Sequence, residues 1–164
     1  MNEIHYMTPQ GHKVLSDEQD HLIHKERPKI CEIVSWAAGN GDRSENGDYI
    51  YNKKRLREID RRLRYLKKKL ENCEIVDPKD QQKLDRVYFG ATVTYAREND
   101  SEITVKLVGV DEANFDAKTG QGKINWQSPV GKALLKAGVG DTVKVRTDEG
   151  VEHIEVIEIS YLLD

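Results

Sequence analysis

Apolar residues recur at helical spacing along the first half of the chain. Leu15, Leu22, Ile30, Ile33 and Ala37 mark one face of a helix running from about Pro9 to Ala38. Thr8-Pro9 reads as its N-cap and first-turn proline. Pro28 falls inside the pattern, and its missing N–H and bulky ring predict a kink or a local loosening there. The next segment is stricter. Tyr49, Asn52, Leu56, Ile59, Leu63, Leu66, Leu70 and Cys73 alternate steps of three and four, the seam of a coiled coil. One seam requires another, and the short polar stretch 39–48 makes the first helix its antiparallel partner.

Past Asp77-Pro78 the period changes. Residues 88–95, 103–108, 141–146 and 153–159 read as strands, mostly alternating, and Ser128-Pro129 opens a short helix through Ala137 that Gly138 ends. The class is therefore α+β. Residues 1–77 form an antiparallel coiled-coil arm with an acidic tip at 39–48, and residues 78–164 form a compact globular domain. No repeat or low-complexity tract interrupts either part.

Composition narrows the class. With 37% hydrophobic and 34% charged residues the chain is too polar for one large core. No apolar run approaches a membrane span, and the start Met1-Asn2-Glu3-Ile4-His5 lacks the apolar stretch of a signal peptide. Cys31 and Cys73 fall at separated levels of the proposed hairpin, so no disulfide is expected and a reducing cytoplasm is. The net charge of −3 conceals an asymmetry: residues 53–69 hold ten Lys/Arg against two acids, whereas the rest of the chain holds 16 bases against 27 acids. A basic stripe on an acidic protein is the footprint of a phosphate-backbone partner.

The tip carries the candidate chemistry. Asp42, Arg43 and Glu45 lie among glycines between the two helices. Carboxylates at the end of a long arm suit a divalent metal or a water in another protein's site. The same Asp42-x-x-Glu45 spacing also suits a capping box, with Ser44 as a competing N-cap.

Gly41-Asp42-Arg43-Ser44-Glu45-Asn46, then Asp48-Tyr49 and the run from Tyr51 to Arg62, resembles the bacterial Gre transcript-cleavage factors (GreA/GreB), closest to the GreB branch with its uninterrupted basic helix. Phe89 to Val93, Val108 to Glu112 and Ser128 to Leu135 resemble that family's FKBP-like C-terminal domain. Gly47 departs from the family's usual alanine, and residues 114–122 are longer and more polar than its pattern. The resemblance implies a factor that enters bacterial RNA polymerase through the secondary channel and stimulates the polymerase's own cleavage of backtracked RNA. It implies Asp42 and Glu45 as the acidic pair, sharing a Mg²⁺ with the polymerase and binding no cofactor in the free protein. It implies polymerase contacts by Arg43, Ser128 and Pro129. Contact with the nascent RNA 3′ segment is expected of Lys53, Lys54, Arg55, Arg57, Arg61, Arg62, Arg64 and Lys68. A cytoplasmic monomer with no membrane partner is expected. Two other functions compete: a channel-occupying regulator of initiation that does not promote cleavage, and a prolyl isomerase built on the second domain. Further constellations are weak. His12, His21 and His24 read as helix-surface histidines, Trp36 and Trp126 as packing residues, and Ser160, His153 and Asp148 have no context as a triad.

Overall fold

The structure is a computed structural model and describes residues 5–39 and 46–161. The described residues divide into two compact units. One holds residues 12–73; the other combines residues 5–11 with residues 74–161.

The first unit is a helical hairpin. α1 (Pro9–His21) and α2 (Arg27–Ala38) are joined by one π-helical turn at Leu22–Glu26, and α3 (Gly47–Glu71) packs against α2 and that turn. Pro28 fixes the place of that turn. It has no N–H to offer the His24 carbonyl, and its ring crowds that oxygen. The wider i→i+5 turn also takes up an extra residue. Leu15 and Leu22 are seven apart, Leu22 and Ile30 eight, Ile30 and Ala37 seven, yet all four face inward. The loosening expected at Pro28 is thus a one-residue slip in the heptad.

On α3 the burial follows the three-four spacing. Asn52, Ile59 and Leu66 are buried, and Tyr49, Leu56, Leu63 and Leu70, with Cys73 just past the helix end, are half-buried. At about 1.5 Å per residue the helix is about 37 Å long. Both cysteines are free thiols.

The second unit is built on a six-stranded sheet in the order β5-β6-β4-β3-β8-β7. The strands are β3 (Thr92–Ala96), β4 (Glu102–Val108), β5 (Asn114–Asp116), β6 (Gln121–Asn125), β7 (Thr142–Thr147) and β8 (Gly150–Ser160). All neighbours are antiparallel except β4 and β6, which run parallel from Thr104↔Gln121 to Val108↔Asn125. Val93, Tyr95, Val105, Leu107, Ile154 and Val156 point to one face, where Leu134 and Ala137 complete the core. The core side of α4 (Pro129–Leu134) supplies Leu134.

Three expectations shift. The strand expected from Tyr88 starts at Thr92, because Gly90 takes a left-handed φ of 89° that L side chains rarely adopt. The helix from Ser128 ends at Leu134 instead of Ala137. Lys136 follows in a left-handed conformation, held by its N–H to the Val87 carbonyl at 2.7 Å and by Arg86 on its own carbonyl at 2.9 Å. Residues 114–125 form the β5–β6 hairpin on the sheet's edge. Two short strands, β1 (His5–Met7) and β2 (Cys73–Ile75), pair with each other outside this sheet.

The Thr8-Pro9 helix start is as expected. Thr8 Oγ1 accepts from the Gly11 N–H at 3.1 Å and donates to Glu112 Oε1 at 2.6 Å. A Cβ on Gly11 would sit 2.3 Å from the Glu112 carboxyl carbon, so glycine there makes room for the carboxylate at the helix N-terminus.

Candidate functional site

Asn46 organises the described side of the hairpin turn. Its backbone is extended, and its Oδ1 accepts from the Tyr49 N–H at 3.1 Å, which makes it the N-cap of α3. Its Nδ2 donates to the Ala37 carbonyl at 2.7 Å, so one amide satisfies an orphan donor of α3 and an orphan acceptor of α2. Asp48 then occupies the first turn, where the helix dipole favours a carboxylate. Asp42, Arg43, Ser44 and Glu45 lie outside the described residues. The cap of α3, however, is Asn46, so the capping duty that competed for Asp42 and Ser44 is already filled. Asparagine is among the strongest N-caps; its signal was hidden by the more familiar Asp-x-x-Glu pattern upstream.

Along α3 the basic residues separate by heptad position. Those flanking the seam pair across the hairpin. Arg55 holds Glu26 through Nε at 2.8 Å and Nη2 at 2.5 Å, and Arg62 grips Glu18 with Nε at 2.6 Å and Nη2 at 2.8 Å. In return Arg27 donates to Asp60 at 2.8 Å. Hydrogen bonding from Arg62 holds the Glu18 carboxyl below its ordinary pKa, and the bonds to Glu26 and Asp60 raise those of Arg55 and Arg27. These side chains are a third or so exposed, so each pair contributes about 0.5–1 kcal/mol.

Lys54, Arg57, Arg61, Arg64 and Lys68 differ. They too step by three and four, but on the side of α3 turned away from the seam, and all five are exposed. None of their side chains enters an ion pair or hydrogen bond among the described residues. Lys53, half-buried beside them, is likewise unpaired there. Of the eight expected RNA contacts, then, two bind carboxylates of the hairpin and six remain available. The row spans about 21 Å at 1.5 Å per residue.

In the sheet unit, Ser128 caps α4, its Oγ accepting from the Gly131 N–H at 3.2 Å, and Pro129 follows, exposed. Both line an open cavity of about 580 Å³ whose apolar wall includes Tyr95, Phe115, Ile124 and Ile154. Arg97 and Glu152 form a bidentate pair on its lining, at 2.9 and 3.1 Å. Phe115 comes from the β5–β6 hairpin, so a segment the sequence presents as a polar loop builds one wall of the cavity. Nothing in its local pattern announces this; a single phenylalanine at a polar edge is the only trace.

Among the described residues no group of three or more His, Cys, Asp and Glu is placed to hold a metal, and His21 and His24 are exposed on α1 and the π turn. No helix is long and apolar enough to cross a membrane.

Comparison with known proteins adds the family. Residues 5–75 match the family described as "Transcription elongation factor, N-terminal", and residues 81–161 match "Transcription elongation factor, GreA/GreB, C-term". The transcription elongation factor GreB of Neisseria meningitidis serogroup B is 52% identical over 96% of this chain and 94% of its own. That of Yersinia pestis is 44% identical over 98% and 91%. A solved structure of the transcription factor Gfh1 aligns over 97% of this chain and 99% of its own, at 22% identity and a TM-score of 0.46, a likeness too loose to carry a functional argument.

Proposed function

The chain belongs to the GreA/GreB family of transcription elongation factors, which stimulate transcript cleavage by RNA polymerase, and we propose how its hairpin does so. The hairpin enters the polymerase's secondary channel and brings Asp42 and Glu45 to the polymerase's active site. A Mg²⁺ held there would supply Lewis-acid polarisation of the scissile phosphate and a more acidic attacking water. The chain's part is to add oxygen donors. Mg²⁺ takes one or two carboxylates and keeps several waters, a demand that two acids three residues apart can meet. Asp42 serves as the ligand, directly or through a water, and Glu45 supports it or orients the nucleophile. The factor works in the cytoplasm as a monomer and lends ligands to another enzyme.

The observation that carries this reading is the cap at Asn46. It releases Asp42 and Glu45 from the structural duty that otherwise accounts for them. The cation row at Lys54, Arg57, Arg61, Arg64 and Lys68, with Lys53 beside it, tracks the extruded RNA 3′ segment, since five like charges without partners among the described residues are costly unless a polyanion meets them. Arg43 faces a phosphate or an acidic wall of the channel, and Ser128 and Pro129 present the cavity's rim to polymerase.

The test is RNA cleavage in stalled, backtracked elongation complexes with wild type, Asp42→Asn and Glu45→Gln across a Mg²⁺ titration. Variants that bind polymerase but cleave about a hundredfold more slowly, partly rescued by high Mg²⁺, support the ligand role. Variants that cleave like wild type overturn the ligand role, and a wild type that binds polymerase without stimulating cleavage favours a channel-occupying regulator.

A further inference from the structure

We infer that Tyr51 is a base-stacking platform for single-stranded RNA at the turn end of the cation row. This deepens the reading above and rests on RNA lying along the outer face of α3.

Tyr51 and Tyr65 share a heptad position, fourteen residues apart on that face, and Lys54, Arg57, Arg61 and Arg64 lie between them. Tyr51 is 69% exposed and Tyr65 37%. The two rings are held differently. Tyr65 sits under the Arg62 guanidinium, 5.0 Å from its centroid, with the Lys69 ammonium at 5.6 Å. Tyr51 enters no ring contact, hydrogen bond or ion pair among the described residues. Helical side chains lean toward the N-terminus, here toward Gly47 one turn away. Apart from its chain neighbours and the backbone of its own helix, no described atom lies within 4 Å of the place a Cβ on Gly47 would occupy.

Folding gives Tyr51 little reason to be aromatic. In a helix an aromatic side chain loses rotamer freedom, and at this exposure most of its apolar face stays wet. A lone exposed tyrosine is ordinary. One at the head of an unpaired cation row is the combination that single-stranded nucleic acid uses: cations track the phosphates and an aromatic face takes a base. The same charge complementarity selects RNA over a protein wall as the occupant. Trp36 provides an internal control. It is 62% exposed and lies next to Ala37, whose carbonyl meets Asn46 at the same end of the hairpin as Tyr51. It stands on α2, however, on the other side of the seam from the row.

The experiment uses the full chain and backtracked elongation complexes whose extruded RNA carries one abasic nucleotide, scanned along the segment. With intact RNA, Tyr51→Ala should raise the half-saturating factor concentration about tenfold with little change in the maximal cleavage rate, and Tyr51→Phe should behave as wild type. One abasic position should weaken wild type by a similar factor and leave Tyr51→Ala unchanged. Trp36→Ala should keep the wild-type response to that position. Equal half-saturation for Tyr51→Ala and wild type overturns the inference, as does a loss that persists at every abasic position, which would mean that the ring meets protein. Wild type that fails to stimulate cleavage at all would instead sink the functional reading on which the inference stands.

Discussion

Arg62 and Arg61 are neighbours on one helix and have opposite environments. Arg62 flanks the seam and grips Glu18 with two hydrogen bonds; Arg61 points away from the partner helices and meets no carboxylate among the described residues. Arg55 and Arg57 repeat the contrast one heptad nearer the turn. Residue type therefore says little about what a charge on this hairpin does. Its angle around α3 decides whether the guanidinium serves the fold or is kept for a partner. The two sets should separate cleanly when folding and RNA action are measured on the same variants.

The seam calibrates both scales. Leu66 is fully buried, and Leu66→Ala should cost about 2–5 kcal/mol, read as an early loss of helical ellipticity on heating. Its effect on cleavage should follow from unfolding alone. The outer row should behave in the reverse way. Arg57→Gln, Arg61→Gln and Arg64→Gln combined should leave the melting curve unchanged while lowering cleavage of long extruded RNA about tenfold. The logarithmic salt dependence of that activity should flatten by about 2, as three lost phosphate contacts on a single strand require. Equal cleavage of long and short extrusions by wild type and triple variant would reduce the row to a solvated face. The flanking pair comes next: Arg55→Gln with Arg62→Gln should lose about 1–2 kcal/mol of stability and keep the salt slope.

This division is only half written in the local sequence. The seam of α3 is legible because a three-four step projects directly onto a helix face, whatever surrounds it. Thr8-Pro9 and Ser128-Pro129 are legible for the same reason, since a cap acts within three residues. Which arginine finds a carboxylate is not legible, because it depends on what stands opposite. The opposite helix slips by one residue at its π turn, so a uniform heptad carried through from Leu15 misplaces the residues beyond Leu22. The β5–β6 hairpin fails for a related reason. Its strands are polar, and their order comes from the parallel pairing of Gln121–Asn125 with Thr104–Val108, some seventeen residues away. At the turn, Asn46 was missed through competition: two acidic residues upstream matched a commoner start signal.

The smallest predicted effect is also the most specific to the flank. Glu18 has a folded-state pKa below its ordinary value because Arg62 hydrogen-bonds its charged form. A lowered carboxylate pKa adds stability that is fully present above the unfolded value, about 4.3, and is lost as pH falls through the folded value. Arg62→Gln removes the cause. The difference in melting temperature between wild type and Arg62→Gln should therefore be constant from pH 7 to about 5. It should amount to a few degrees at most, as about 1 kcal/mol gives in a chain of this size. Below about pH 4 the gap should close, because protonated Glu18 no longer distinguishes the two proteins. Arg61→Gln should show no gap at any pH. If instead the Arg62→Gln gap survives to pH 2, Arg62 stabilises the hairpin through its stem and its place over the Tyr65 ring, and the flank acts by packing rather than by charge.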